Sequence, residues 1–163
     1  MKKFRLTNRI TGILVFAIAA TVYLMTIEPT ASFWDCGEFI TSAYKLEVGH
    51  PPGAPLFMLV GNIFSHLTDA GNAGKMVNVM SALFSALTIM FLFWTITHLT
   101  TRMLVNDPEK ISLSHTFLIH GRGLFGTLAC TFSDTFLFSD VKGEVSASSS
   151  FVPAVVSSLS TTW

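Results

Sequence analysis

Two long runs without a single charged side chain decide what this chain can fold into. Residues 10–27 and 76–99 contain no Asp, Glu, Lys or Arg. Each is long enough to cross a hydrocarbon core of roughly 30 Å as a helix. Ten side chains of the first run are Ile, Leu, Val, Phe or Met. At about −0.5 kcal/mol each they favour insertion, and no charge opposes them. Composition agrees: 12 % of the residues are charged, half the roughly 25 % usual for a soluble domain. A formal net charge of zero gives no electrostatic reason to expect nucleic acid as a partner. The expected fold class is therefore an all-α integral membrane protein, with the lipid bilayer as its first partner.

Lys2, Lys3, Arg5 and Arg9 precede the first run with no acid among them. A basic start followed by an apolar run also describes a signal peptide. However, signal h-regions run to about 7–15 residues and end at a small-x-small site. Glu28-Pro29-Thr30-Ala31-Ser32 follows here, so the run reads as a retained span. The basic N-terminus is expected on the cytoplasmic side. Residues 28–75 then form one external loop. The stretch from 100 to 122, with Arg102, Lys110 and Arg122, becomes a cytoplasmic one. This corresponds to a multi-pass protein of the cell's inner (cytoplasmic) membrane.

The remaining apolar stretches are weaker. Residues 55–67 would make a helix of about 20 Å, too short to cross. Gly61, Asn62, Ser65 and His66 fall on one face of it and Leu56, Leu59, Val60, Ile63, Phe64 and Leu67 on the other. That pattern predicts an interfacial or re-entrant helix. Residues 123–138 are expected to form a third span, about 122–139 at its widest. Asp134 must then lie near an interface or against a bundle interior. Ser81, Ala82, Ser85 and Ala86 give the 76–99 span a small-residue face for close packing. After residue 140 the serine-rich sequence, interrupted by Pro153, is a poor membrane helix. It reads as a cut or altered end of a single membrane domain covering 1–163.

Chemistry concentrates between the first two spans. In Phe33-Trp34-Asp35-Cys36-Gly37-Glu38-Phe39 two carboxylates sit three apart, on one helical face. Such a pair can hold a divalent ion, or one member can take a proton from a hydroxyl. Asp35 and Glu38 also have capping-box spacing for a helix running to about Glu47. The two readings are compatible. That helix is amphipathic, with Phe39, Ile40, Ala43 and Leu46 apolar and Thr41, Ser42, Lys45 and Glu47 wet. Trp34 and Tyr44 suit the headgroup level. His50-Pro51-Pro52-Gly53-Ala54-Pro55 forms a stiff corner, with Pro55 able to start the next helix. His50 at that corner is a candidate partner for a phosphate. Gly121-Arg122-Gly123-Leu124-Phe125-Gly126 matches GxGxxG in letters only. A dinucleotide site needs a strand–turn–helix unit in an α/β domain, and these glycines are expected to lead into the third span. Cys36 and Cys130 suggest neither a disulfide framework nor a metal site.

Taken with Val77-Asn78-Val79-Met80-Ser81-Ala82-Leu83-Phe84, these two motifs resemble the start of a known membrane glycosyltransferase family. It is the protein-O-mannosyltransferase-like group classed as glycosyltransferase family 117, of the domain-of-unknown-function 2723 type, within the GT-C superfamily. The resemblance extends from about Arg9 to Phe138. It implies a GT-C-like architecture, here three transmembrane helices plus two interfacial helices in the first external loop. It also implies an enzyme taking a sugar, mannose or a similar hexose, from a polyprenyl-phosphate-linked donor to Ser or Thr hydroxyls of exported proteins. By the same resemblance Asp35 is the general base and Glu38 its support, while Trp34, His50 and Glu144 bind substrate or donor. No cofactor is implied, and a divalent metal is only permitted by the acid pair. The family's Glu-Gly-Glu-Val-Tyr is replaced by Lys142-Gly143-Glu144-Val145-Ser146. Members also continue for several hundred residues, so the chain alone is expected to be inactive. A degenerate, non-catalytic membrane protein is the alternative, with a transporter subunit behind it.

Overall fold

The computed structural model describes residues 2–27, 35–49, 54–104, 112–133 and 145–161. Among the described residues there are six α-helices and no strand. They are α1 (Lys2–Met25), α2 (Cys36–Lys45), α3 (Pro55–Ser65), α4 (Ala73–Leu104), α5 (Leu113–Thr131) and α6 (Val145–Thr161), with a short 3-10 turn at Ala70–Asn72 before α4. Two of them, α1 and α4, are long and apolar enough to cross a membrane. At 1.5 Å per residue α4 measures about 48 Å, so its ends extend beyond a core of roughly 30 Å.

Helix α4 is the spine of the molecule. Its Ala82, Ala86, Ile89 and Phe93 bury against Val15, Ala19, Ala20 and Tyr23 of α1. The small-residue face predicted from sequence, Ser81, Ala82, Ser85 and Ala86, is buried throughout. Small side chains let helix backbones approach closely, the main source of packing energy where lipid removes the hydrophobic incentive. A second cluster joins Ala43 of α2, Phe57 and Met58 of α3, and Val77 and Met80 of α4. The first turns of α4 therefore hold the α2–α3 pair, and its later turns hold α1 and α5.

Helix α5 corrects one boundary. It starts at Leu113, ten residues ahead of the stretch 123–138 where the sequence placed a helix, and ends at Thr131. The expected loop 100–122 is thereby mostly helical, leaving residues 105–112 between α4 and α5. The GxGxxG glycines lie inside α5 rather than leading into it. Thr127 and Thr131 on its buried face satisfy their hydroxyls on Gly123 O and Thr127 O at 2.8 and 2.9 Å, which lets polar residues sit in an apolar packing face.

The serine-rich tail, read as a poor membrane helix, is nonetheless helical over residues 145–161 and the helix passes through Pro153. Proline removes one backbone bond and crowds the preceding turn. Packing on α4 offsets this: Phe151 sits between Phe84 and Phe91, with ring centroids 5.1 and 5.9 Å away.

Among the described residues Leu46 is the one non-glycine with positive φ (φ 55°, ψ 40°). It ends α2 in a Schellman arrangement, with Glu47 N–H donating to Ser42 O at 2.9 Å and Leu46 N–H to Ala43 O at 3.4 Å. The side chain is largely exposed, so little burial opposes a change. Leu46→Gly should stabilise the chain by about 0.5–1 kcal/mol. Thermal unfolding in detergent, followed by helical circular dichroism, would read this as a higher Tm. A lower Tm would mean that Leu46 has packing value not visible in its exposure.

Candidate functional site at the mouth of α2

The first helix after α1 begins at the acid pair. Asp35 stands at the N-cap position of α2 and its carbonyl accepts from Phe39 N–H at 3.0 Å. Its side chain makes no capping hydrogen bond, so the capping box expected from the spacing is not closed by Asp35. The backbone explains this. A capping side chain folds over the first turn from an extended residue. Asp35 has φ −79° and ψ 4°, in the sparsely used bridge between the helical and extended regions. Asp35 is exposed. Glu38 occupies the third helical position, where the helix dipole favours a negative charge. It too is exposed.

The two sequence motifs meet here. A Cβ placed on Gly49 would lie 3.4 Å from Glu38 Oε1, 3.5 Å from Met58 Cε and 4.0 Å from Ser42 Oγ. Gly49 thus lies in a nook made by α2 and α3, against the Glu38 carboxylate, one residue before His50. The proposed site residues His50, Trp34 and Glu144, together with Asp134, lie outside the described residues. Asp35 and Glu38 are the two whose positions can be given. Among the described residues no three His, Cys, Asp or Glu side chains gather as a metal site would need.

The helix bearing the acids is fixed by a residue that spacing did not single out for this task. Asn62 Nδ2 of α3 donates to Ala43 O and to Tyr44 O, both at 2.9 Å. Both are carbonyls of the last turn of α2, where the helix end leaves acceptors to be satisfied from outside; Ala43 O takes this bond beside that from Leu46 N–H. Beside them the Tyr44 and His66 rings stack at 4.9 Å and 7°, and His66 Nδ1–H donates to Asn62 O at 2.9 Å. Gly61 brings the helices close: a Cβ on it would meet Ala43 Cβ at 3.0 Å.

Gly61 and Ser65 of the polar side of α3 are buried together with Phe57 and Met58, while Leu56, Leu59, Ile63 and Leu67 are exposed. Polar groups turn inward to find partners when the outer medium offers none. Ser42, read as wet, is buried, and Leu46, read as apolar and inward, is exposed. Because α2 ends at Lys45, Leu46 no longer follows the helical period.

Residues 35–163 match the family described as the protein O-mannosyl-transferase TMEM260 N-terminal domain. The chain belongs to this family. The match opens on Asp35 and contains Glu38, Gly49 and Asn62. Among curated relatives in the family, the protein O-mannosyl-transferase TMEM260 of Mus musculus is 38 % identical over 89 residues. That alignment covers 55 % of this chain and 13 % of the relative. The protein O-mannosyl-transferase tmem260 of Dictyostelium discoideum is 30 % identical over 135 residues, covering 82 % of this chain and 14 % of the relative. The chain thus spans about one-seventh of the length of the relatives it matches. No solved structure matches it.

Proposed function

We propose that this chain is the N-terminal part of a membrane protein O-mannosyltransferase whose catalytic base is Asp35. The observation that carries this reading is the exposed Asp35 at the mouth of α2, its side chain not spent on capping the helix it begins. Membership of a family whose named relatives are protein O-mannosyl-transferases supports it. The donor is a polyprenyl-phosphate-linked mannose or similar hexose, and the acceptor a Ser or Thr hydroxyl of an exported protein. As the acceptor oxygen attacks the anomeric carbon, its proton passes to Asp35. The bond from that carbon to the phosphate oxygen breaks, and the polyprenyl phosphate leaves with the electron pair. The reaction is an in-line displacement and inverts the anomeric configuration.

Asp35 has a carboxylate's ordinary reach for this work. A carboxylate in this place is useful mainly because it is positioned. Glu38 supports it one turn along the same face, and His50 meets the donor phosphate, with Trp34 and Glu144 lining the donor or acceptor path. The fold is GT-C-like, with three spanning helices and α2 and α3 in an external loop between the first two. The N-terminus is cytoplasmic.

The test is transfer by membranes containing the full-length protein. Labelled polyprenyl-phosphate mannose and a Ser/Thr acceptor peptide are supplied, and label released by β-elimination is counted. Label on the hydroxyls from the lipid-linked donor is the expected result. Equal incorporation from a nucleotide sugar, with no lipid-linked donor formed, would remove the donor assignment.

A further inference from the structure

Helix α2 carries the acid pair on a rod of ten residues, about 15 Å long. Whatever sets its direction decides where Asp35 and Glu38 stand. Phe39 lies edge-on to Phe57 of α3 at 5.9 Å, and Ala43 packs in one cluster with Phe57, Met58 and Met80. Apolar contact of this kind holds a helix close but is not directional. A helix held by it alone can still turn about its own axis.

Asn62 supplies the missing direction. It is the one amide side chain in α3, a helix otherwise built of apolar residues, Gly and Ser. Asparagine is a poor helix former, because its side chain competes for nearby backbone groups. Local propensity therefore does not account for it. Its two bonds to α2 run to Ala43 O and Tyr44 O, both at 2.9 Å. A carbonyl only accepts, so the nitrogen end of the amide faces α2, and its two N–H groups match two acceptors.

Carbonyls of adjacent residues lie about 100° apart around a helix axis. Holding both from one atom fixes α2 against rotation as well as against sliding. Asn62 is itself tied back into α3. Ser65 Oγ–H and His66 Nδ1–H donate to its backbone carbonyl, each at 2.9 Å. Asn62 grips the last turn of α2, whereas Asp35 stands before its first. Any influence on the acid pair must travel through the helix.

We infer that Asn62 is a positioning residue for sugar transfer, which holds Asp35 in place by fixing the rotation of α2. Side chains stand about 5–6 Å from a helix axis, so a turn of about 10° shifts a carboxylate by roughly 1 Å. A misplacement of that size, caused far from the chemistry, can cost about 10²-fold in rate. The inference rests on Asp35 as the proposed base.

The experiment is a mutant cycle on kcat and KM in the full-length protein, with labelled polyprenyl-phosphate mannose and a fixed acceptor peptide. Asn62→Leu keeps the size of the side chain and removes the donors. It should lower kcat by roughly 10–10²-fold, with KM for the peptide little changed. In the Asp35→Asn background the same substitution should cost almost nothing further, because the group it misplaces is no longer a base. Asn62→Gln keeps the amide on a longer stem and should recover part of the loss.

A general loosening of the fold would lower kcat by the same factor in both backgrounds, and that result would overturn the inference. So would unchanged kcat in Asn62→Leu beside a strongly impaired Asp35→Asn, which would leave Asp35 as the base and Asn62 as a structural contact. Full activity in Asp35→Asn would instead remove the base assignment, and the inference with it. Helical circular dichroism accompanies each variant. If Asn62→Leu fails to fold, Asn62→Asp carries the cycle, since an ionised carboxylate has the amide's shape and no donor. Its loss of kcat, too, should vanish in the Asp35→Asn background, and no loss or an equal one would overturn the inference.

Discussion

Asp35→Asn in the full-length protein is expected to lower kcat/KM for sugar transfer by about 10²–10⁴, the usual contribution of a positioned general base. The melting temperature should stay where it is. Both halves follow from the geometry. Asparagine keeps the shape and hydrogen-bonding reach of the side chain but cannot take up the acceptor's proton. Had Asp35 been holding α2 by its cap, the substitution would be hard to read, since cap changes alone cost about 0.5–2 kcal/mol. Its carboxylate makes no capping hydrogen bond and the residue is exposed, and exposed substitutions away from structural features usually fall within about ±0.5 kcal/mol. Asp35→Glu retains the base but moves it by one methylene, so an intermediate loss is expected. The kinetics of purified full-length variants with a fixed acceptor peptide would decide. Full activity in Asp35→Asn would transfer the base to another residue. A fall in Tm matching the fall in activity would return Asp35 to a structural part.

The sequence was most legible where one medium acts on one helix. The runs 10–27 and 76–99 carry no charge, and lipid imposes length and polarity so strictly that α1 and α4 follow directly. The acid pair was legible because three-residue spacing on a helix fixes a common face, and α2 does begin between Asp35 and Glu38. Legibility fell where the outcome depends on a neighbour. The face of α3 that buries carries Gly61 and Ser65 beside Phe57 and Met58, and Asn62 finds its partners on α2, 18 and 19 residues earlier; periodicity locates a face without saying what it will meet. Helix α6 was missed for a similar reason. Its serines and Pro153 are poor local choices, and the helix stands through Phe151 against Phe84 and Phe91 of α4, a contact no local rule contains. For α5 the signal was diluted. His115, His120, Gly121 and Arg122 lower the mean hydropathy of its first half, so the apolar window slides toward the C-terminus and away from the true start at Leu113.

The glycines of α5 also furnish the second large effect, and they separate a motif from its use. Gly121 and Gly123 are two residues apart on α5 and face opposite ways. A Cβ on Gly121 would meet nothing within 4 Å, whereas a Cβ on Gly123 would lie 2.8 Å from Phe93 Cε2 and 2.8 Å from Thr97 Cγ2. Both of those neighbours are fully buried in the core, so neither can swing into open space. Gly121→Ala should therefore stabilise the chain by up to about 1 kcal/mol, the ordinary gain of replacing glycine in an exposed helix position. Gly123→Ala gains the same backbone term but must push α5 away from α4, and overpacking of this kind typically costs about 1–3 kcal/mol. Gly123→Val should cost more, since it adds volume beyond a Cβ that already meets Phe93 and Thr97. Opposite shifts of Tm for the two alanine variants, measured in the same detergent, are the expected result. Adding Phe93→Leu to Gly123→Ala, which makes room at the point of contact, should recover part of the loss. If Gly123→Ala were instead as stabilising as Gly121→Ala, α5 would not pack on α4 at this point.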